Sequence, residues 1–170
     1  MDELKWLIAR EIPHLRRYAL ALRRDPDAAD DLVQDCLERA LRKRHLWRRR
    51  GSMRSWLFRI LYTVFVNTNK KQSRDKQAVP LDAIAFTLAA SPSQELYVEY
   101  REMAKALSQL PEQQYAAIIL IALEGFSYDE AAWILGIPIG TLRSRLYRGR
   151  EALRRLGSET FRHGRVRRVK

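Results

Sequence analysis

Four polar side chains near residue 145 have the types and the spacing to read DNA bases. Arg143, Ser144, Tyr147 and Arg148 are separated by one, four and five positions, so on a helix they share one side. Arginine can pair with the edge of guanine through two hydrogen bonds, serine can bond to either kind of base, and tyrosine can contact bases or phosphates. The same side chains could instead form only a solvated basic surface. The pattern favours DNA binding.

Two short helices joined by a turn would position these side chains. Ser127 and Glu130 have the spacing of a capping box, Gly136 can end the first helix, and residues 138–140 start the second. On the opposite side of the second helix, leucines recur at helical spacing: Leu142, Leu146 and Leu153. One side can therefore pack on its own domain while the other enters a major groove, as in a helix-turn-helix.

The charge of the chain supports a polyanionic partner. Lys and Arg outnumber Asp and Glu by 32 to 20, a net charge of +12 over 170 residues, which suits nucleic acid or an acidic membrane surface. The longest apolar run, residues 116–123, is too short to span a bilayer, and charges occupy the N-terminal stretch where a signal peptide needs apolar residues. We expect a soluble cytoplasmic protein.

Catalytic and metal-binding patterns are missing from the sequence. Cys36 is the only cysteine and falls on an apolar helix stripe, which is typical of a small core residue. His14, His45 and His163 are scattered without ligand spacing, and neither a phosphate-binding glycine loop nor a nucleophile motif occurs. We expect no metal, no cofactor and no enzymatic activity.

The apolar periodicity is helical throughout and predicts an all-α fold of two small helical bundles joined by a linker, the second containing the helix-turn-helix. We expect the first bundle over 1–74, the linker over 75–91, the second bundle over 92–157 and a mobile basic tail over 158–170. Pro13 is expected to divide or kink the first helix. The tryptophans assigned to packing are Trp6, Trp56 and Trp133.

The first bundle carries further surfaces of marked character. Opposite the apolar stripe of its second helix lies an acidic and amide stripe: Asp31, Gln34, Asp35 and Glu38. The run RKRHLWRRR holds six basic residues in nine, with Ser52 as a candidate N-cap for the helix that follows it. Polar residues repeat at three- and four-residue spacing on one face at the end of that helix: Asn67, Lys70, Lys71 and Arg74.

In this order, the segments resemble the extracytoplasmic-function (ECF, group 4) sigma factors of bacterial RNA polymerase. DDLVQDCLERAL is similar to the polymerase-binding segment of that family, RGSMRSWLFRIL to its promoter-melting segment, and the stretch from Leu110 to Leu153 to its second domain. The resemblance implies a protein that binds core RNA polymerase and promoter DNA and directs promoter recognition, strand opening and transcription initiation. It also implies control by an anti-sigma factor.

The resemblance assigns roles to three groups of residues. The acidic and amide stripe would dock on the clamp helices of the largest polymerase subunit. The −10 element and strand opening would involve Arg48, Arg49, Arg50, Gly51, Ser52, Met53, Asn67, Lys70, Lys71 and Arg74. The −35 element would be read by Thr141, Arg143, Ser144, Arg145, Tyr147, Arg148 and Arg150. The linker 75–91 would thread into the polymerase cleft, or else cover the protein's own surface.

Two other classes of function use some of the same features. A helix-turn-helix regulator acting without polymerase would leave the first bundle unexplained. A sigma-mimicking adaptor that binds a regulator and never touches DNA would not need the basic run or the arginine stripe. Because both bundles hide surfaces that DNA or polymerase would use, compact and extended forms are both expected.

Overall fold

The computed structural model describes residues 3–47, 52–72 and 94–167, and within these ranges all regular structure is helical. This confirms the all-α prediction. In chain order the helices are α1 (Glu3–Arg23), α2 (Pro26–Arg42), α3 (Met53–Gln72), α4 (Gln94–Ser108), α5 (Glu112–Ala122), α6 (Tyr128–Leu135) and α7 (Ile139–Arg167), with a 3₁₀ turn at Arg44–Leu46. We call α1–α3 the first half and α4–α7 the second half.

The first half is a three-helix bundle in which every helix contacts the other two. The rings of Tyr18 on α1 and Phe58 on α3 stack at 5.3 Å in its centre, and neither is exposed to solvent. Cys36 on α2 is buried and its Sγ lies 3.5 Å from the carbonyl oxygen of Leu57. Burial raises the pKa of this thiol to about 12, so it is an inert core residue as predicted.

Capping residues fix where the helices of the first half begin. The Asp25 side chain accepts a 2.7 Å hydrogen bond from the backbone N–H of Ala28 at the start of α2. Before α3, the Ser52 hydroxyl accepts a 3.4 Å bond from the N–H of Ser55, which confirms the predicted N-cap. Pro13 lies inside α1, which continues as one helix on both sides of it, so the prediction of a division there is wrong.

The second half contains the predicted helix-turn-helix. Ser127 and Glu130 form a complete capping box at the start of α6, with Ser127 Oγ accepting a 3.2 Å bond from the N–H of Glu130. Gly136 ends α6 with φ of 65°, a left-handed conformation that costs glycine little. Helix α7 then begins at Ile139 and its Leu142 and Leu146 are buried.

A close helix approach holds α7 against α5. A Cβ atom added at Gly149 would lie 2.5 Å from Cδ1 of Ile118, so the small residue at this position permits the contact. Helix α5 is buried along most of its length, and it contacts α6 and α7 of its own half and α1 of the first half. The apolar run that the sequence places at the centre of the second bundle is therefore also covered from the first half.

The two halves share one hydrophobic core. Helix α3 packs on α6 and α1 packs on α5, and the buried residues of both halves belong to one continuous cluster. The ring of Phe126, just after α5, meets the ring of Phe58 edge-on at 4.9 Å. The structure is thus the compact form of the two forms expected. The predicted linker 75–91 lies outside the described residues, and the domain boundaries stay a prediction.

Three further expectations differ from the structure. Helix α7 continues to Arg167, so residues 158–167 extend a helix and the expected separate tail is not observed there. Trp6 is 59% exposed because it lies two residues from both Leu4 and Ile8, on the opposite side of α1 from these packed residues. Trp133 is 45% exposed and lies against Arg59 of α3, whereas Trp56 packs against the core as predicted.

The burial of Leu142 and Leu146 gives a stability prediction. We expect Leu146→Ala to lower the free energy of unfolding by about 2–5 kcal/mol, because it leaves a cavity between α7 and the core. Leu142→Ala should have a similar effect, while Ser144→Ala on the exposed side should change stability by roughly 0.5 kcal/mol or less. Urea unfolding followed by far-ultraviolet circular dichroism measures all three. A loss below about 1 kcal/mol for both leucines would contradict the packing described for α7.

Candidate nucleic-acid and polymerase interfaces

The start of α7 presents one buried side and one basic exposed side. Leu142 and Leu146 are 0% and 1% exposed and anchor the helix. Arg143, Ser144, Tyr147 and Arg148 are all exposed, as are Thr141 and Arg150, and Tyr147 is 67% exposed. The side chains that the sequence assigns to base reading therefore lie together on an open helix face, even in the compact form.

Two of the arginines near this face already have partners. Both terminal nitrogens of Arg150 lie 3.2 and 3.3 Å from the hydroxyl of Tyr128 on α6, which holds the guanidinium beside the first helix of the motif. Arg154 pairs with Glu151 one turn earlier on α7. Within the described part of the chain, neither Arg143 nor Arg148 pairs with a carboxylate or hydroxyl group, unlike Arg150 and Arg154. This difference supports separate roles for the two groups.

Arg145 differs from its neighbours because it is only partly exposed. Burial raises the pKa of Tyr62 on α3, and the positive charge of Arg145 opposes that rise. An open cleft between the start of α5 and α7 is lined by Glu112, Gln113, Ser144, Arg145 and Arg148. Its basic wall is continuous with the exposed face of α7.

The acidic and amide stripe of α2 is also open. Asp31, Gln34, Asp35 and Glu38 are all exposed, and Gln34 Nε2 donates a 3.3 Å hydrogen bond to Glu38 Oε1. The opposite side of α2 is buried through residues such as Leu32 and Cys36. The structure therefore places the four predicted docking residues on one exposed helix face without using them for packing.

The residues predicted to take part in strand opening differ in exposure, and some of them lie outside the described ranges. Arg48, Arg49, Arg50, Gly51 and Arg74 lie outside the described residues. Ser52 and Asn67 are exposed, and Lys70 and Lys71 belong to the last turns of α3. Met53 is only 7% exposed, so its side chain is part of the core in this form and is not available to an unpaired base.

Sequence reasoning missed the residues that join the second half to the start of α3. Ser55 Oγ donates a 3.2 Å bond to Glu130 Oε1, and Arg54 Nη2 lies 2.8 Å from Glu124 Oε2. The guanidinium of Arg59 donates to the carbonyl oxygen of Trp133 and lies 4.5 Å from the centre of its ring. Glu124 had a sequence signal, since it is the first charged residue after the apolar run of α5.

Comparison with known proteins follows the same division of the chain. Residues 8–62 match the family model described as the sigma2 domain of PhyR, and residues 100–153 match that of sigma-70 region 4. The ECF RNA polymerase sigma factor EcfG of Rhodopseudomonas palustris is 37% identical over 164 residues, which cover 94% of this chain and 90% of that protein. The ECF RNA polymerase sigma-E factor of Escherichia coli is 33% identical over 134 residues, covering 72% of this chain and 70% of the relative.

A solved structure extends the similarity to three dimensions. The sigma factor RpoE of Bartonella quintana, solved in complex with the anti-sigma factor NepR, superposes with a TM-score of 0.77 at 33% identity, over 93% of this chain and 98% of that one. The chain therefore belongs to the ECF RNA polymerase sigma factors, which direct transcription initiation. These relatives are DNA-binding regulators rather than enzymes. Among the described residues, no helix is both long and apolar enough to cross a membrane.

The open face of α7 predicts how its arginines divide between base and backbone contacts. We expect Arg143→Ala or Arg148→Ala to cost about 1–3 kcal/mol of promoter binding and to relax preference at one or two base pairs. Arg150→Ala, Arg154→Ala and Arg155→Ala should weaken binding to all sequences alike and lower the salt dependence by roughly one unit per lost phosphate contact. A panel of −35 variants measured at two salt concentrations separates the two patterns. A uniform loss for both Arg143→Ala and Arg148→Ala would mean that the stripe is only an electrostatic surface.

Proposed function

We propose that this sigma factor acts with core RNA polymerase in the cytoplasm and uses three separate surfaces to bind polymerase and promoter DNA. The stripe of α2 docks on the polymerase, the segment from Arg48 to Arg74 recognises and opens the −10 element, and the start of α7 reads the −35 element. The observation that carries this proposal is the opposite charge of two exposed helix faces in one protein. One face is acidic on α2 and the other is rich in arginine on α7.

The stripe of α2 suits a basic partner. Acidic side chains are exposed here on a protein of net charge +12, where they add nothing to the attraction for DNA. Complementary charge speeds encounter and fixes the orientation of a partner. Because Asp31, Gln34, Asp35 and Glu38 lie on one side of a well-packed helix, they offer a preorganised surface to a basic helix. The clamp helices of the largest polymerase subunit are the partner that the family membership suggests.

The segment before α3 suits an unpaired base. Extracting a base from the duplex costs a few kcal/mol of stacking and pairing, and a pocket together with backbone contacts must offset that cost. The basic run that ends at Arg50 can supply the backbone contacts, and the exposed Ser52 stands where the chain enters α3. Asn67, on the exposed side of α3, then lies further along the path of the same DNA.

An anti-sigma factor is the regulatory partner that we propose. The similar RpoE of Bartonella quintana was solved in complex with the anti-sigma factor NepR, at 33% identity to this chain. The similarity in fold and sequence supports a partner of the same class for this chain. Such a partner would compete with polymerase or DNA for the surfaces described above.

A second candidate function is a sigma-mimicking adaptor. It is favoured by one observation, namely that the family model matching residues 8–62 is described as the sigma2 domain of PhyR, a protein called an anti-anti-sigma factor in a solved complex. The open arginine face of α7 favours the sigma factor instead, because an adaptor needs no base-reading residues. Size-exclusion chromatography with core RNA polymerase separates the two: a sigma factor comigrates with core enzyme, and an adaptor does not.

The docking surface predicts a loss of polymerase binding without a loss of fold. We expect the double substitution of Gln34 and Asp35 by alanine to weaken binding to core polymerase about tenfold or more, since charge pairs at the centre of an interface carry much of its energy. The matched control is Glu102→Gln, which removes an exposed acidic charge from α4 in the second half, away from the stripe. Fluorescence anisotropy with labelled core enzyme measures affinity, and circular dichroism checks helicity. Normal affinity in the double variant with normal helicity would remove the docking role of α2.

The melting segment predicts a defect confined to strand opening. Replacing Arg49, Arg50 and Ser52 together by alanine should reduce open-complex formation more than closed-complex binding, because only opened DNA offers an unstacked base. Permanganate footprinting of unpaired thymines reports the open complex, and a heparin-free mobility shift reports the closed one. Unchanged thymine reactivity would place strand opening elsewhere in the chain.

A further inference from the structure

Glu124 is a carboxylate that the fold buries between the two halves of the chain. It follows α5 in the second half, and its side chain is 0% exposed. Arg17 on α1 binds it through two hydrogen bonds, from Nε to Oε1 at 2.8 Å and from Nη2 to Oε2 at 3.0 Å. Arg54 on α3 donates from Nη2 to Oε2 at 2.8 Å. We call these three residues the Glu124 cluster.

Among the described residues, the two cationic partners of Glu124, Arg17 and Arg54, both come from the first half. Besides the two arginines, Nδ1 of His14 on α1 lies 3.8 Å from Oε2. Arg17 also donates a 3.3 Å hydrogen bond to the carbonyl oxygen of Leu123, so it binds the backbone of the residue before Glu124 as well. A buried carboxylate is costly unless it is paired and hydrogen-bonded. Docking of the first half supplies that pairing for Glu124.

The cluster stands at the edge of the surface that covers the start of α3. Arg54 lies 4.8 Å from the centre of the Phe126 ring, and Phe126 meets Phe58 edge-on. Further along α3, Ser55 bonds to Glu130 and Arg59 bonds to Trp133. Together these contacts place α6 over residues 53–59, which belong to the segment assigned above to strand opening.

We propose that the Glu124 cluster is an ionic lock that holds the two halves in the compact form and so withholds the start of α3 from promoter DNA. Opening leaves no buried charge behind, because separation of the halves lets water reach the carboxylate and both guanidinium groups. Removing the charge of Glu124 without opening leaves Arg17 without its carboxylate partner, while Arg54 keeps Glu11 of α1, whose Oε2 lies 3.5 Å from Arg54 Nε. A charge-removing substitution should therefore shift the population toward the open form. A partner that separates the halves breaks the ion pairs of Glu124, and water then hydrates the separated charges.

The test measures the distance between the halves in the full chain. Cysteines introduced at exposed Asp27 and Gln113 carry a pair of fluorophores, and native Cys36 stays unlabelled because burial raises the pKa of its thiol to about 12. We expect Glu124→Gln, which keeps the shape and removes the charge, to raise the open-to-closed ratio about tenfold or more. Arg17→Met tests the same lock from the first half and should act in the same direction.

The matched control is Asp30→Asn. It removes a salt bridge between Asp30 and Arg16 whose side chains are 64% and 63% exposed and which lies within the first half, so the distance should not change. Circular dichroism and urea unfolding establish that each variant is folded. If folded Glu124→Gln and Arg17→Met keep the wild-type distance distribution, the lock does not exist.

The proposal that the compact form withholds the start of α3 from DNA rests on the proposed function, and a separate measurement tests it. On a promoter with core polymerase, Glu124→Gln should raise the rate of open-complex formation at limiting sigma factor, read by permanganate reactivity. A longer distance with an unchanged rate would refute the withholding of α3 while leaving the lock. If wild-type protein fails to bind core polymerase, the proposed function fails, and the distance measurement still decides the lock.

Discussion

The compact structure depends on one constraint, which is that α5 is apolar on nearly all sides and has to be covered on all of them. A helix of this kind cannot lie at a surface. Helices α6 and α7 cover part of it, with Gly149 allowing α7 to approach Ile118 closely, and α1 of the first half covers another part. The contact between the halves is therefore an extension of the core, continued by Phe126 against Phe58.

The same contact brings charge into the interior. Because Glu124 follows α5 directly, the packing of α5 draws the carboxylate into the interface, where Arg17 and Arg54 neutralise it. Apolar burial is non-directional, whereas hydrogen bonds to a carboxylate fix an orientation. The core thus brings the halves together, and the ion pairs define which part of α3 lies under α6. In the lock proposed above, the hydration of these groups would allow the halves to separate.

The surfaces proposed for recognition remain exposed, while part of the segment proposed for strand opening is buried. The arginine face of α7 and the acidic stripe of α2 are exposed in the compact form, but Ser55 and Phe58 at the start of α3 are buried. In the proposed function, this difference would separate partner binding from strand opening, and the compact form would affect strand opening more directly.

The sequence alone determined the helices, their caps and the two charged stripes, because these depend on spacing within a few turns. The capping box of Ser127 and Glu130, the left-handed Gly136 and the opposite sides of Leu142 and Arg143 all follow from local periodicity. Tertiary structure decided how the halves meet, since the partners of Glu124 are distant in the chain, with Arg17 separated from it by 107 residues. It also decided that Arg59 stacks on Trp133. Side-chain type gives no register for such long-range contacts, which arise only when the cores of both halves are packed together.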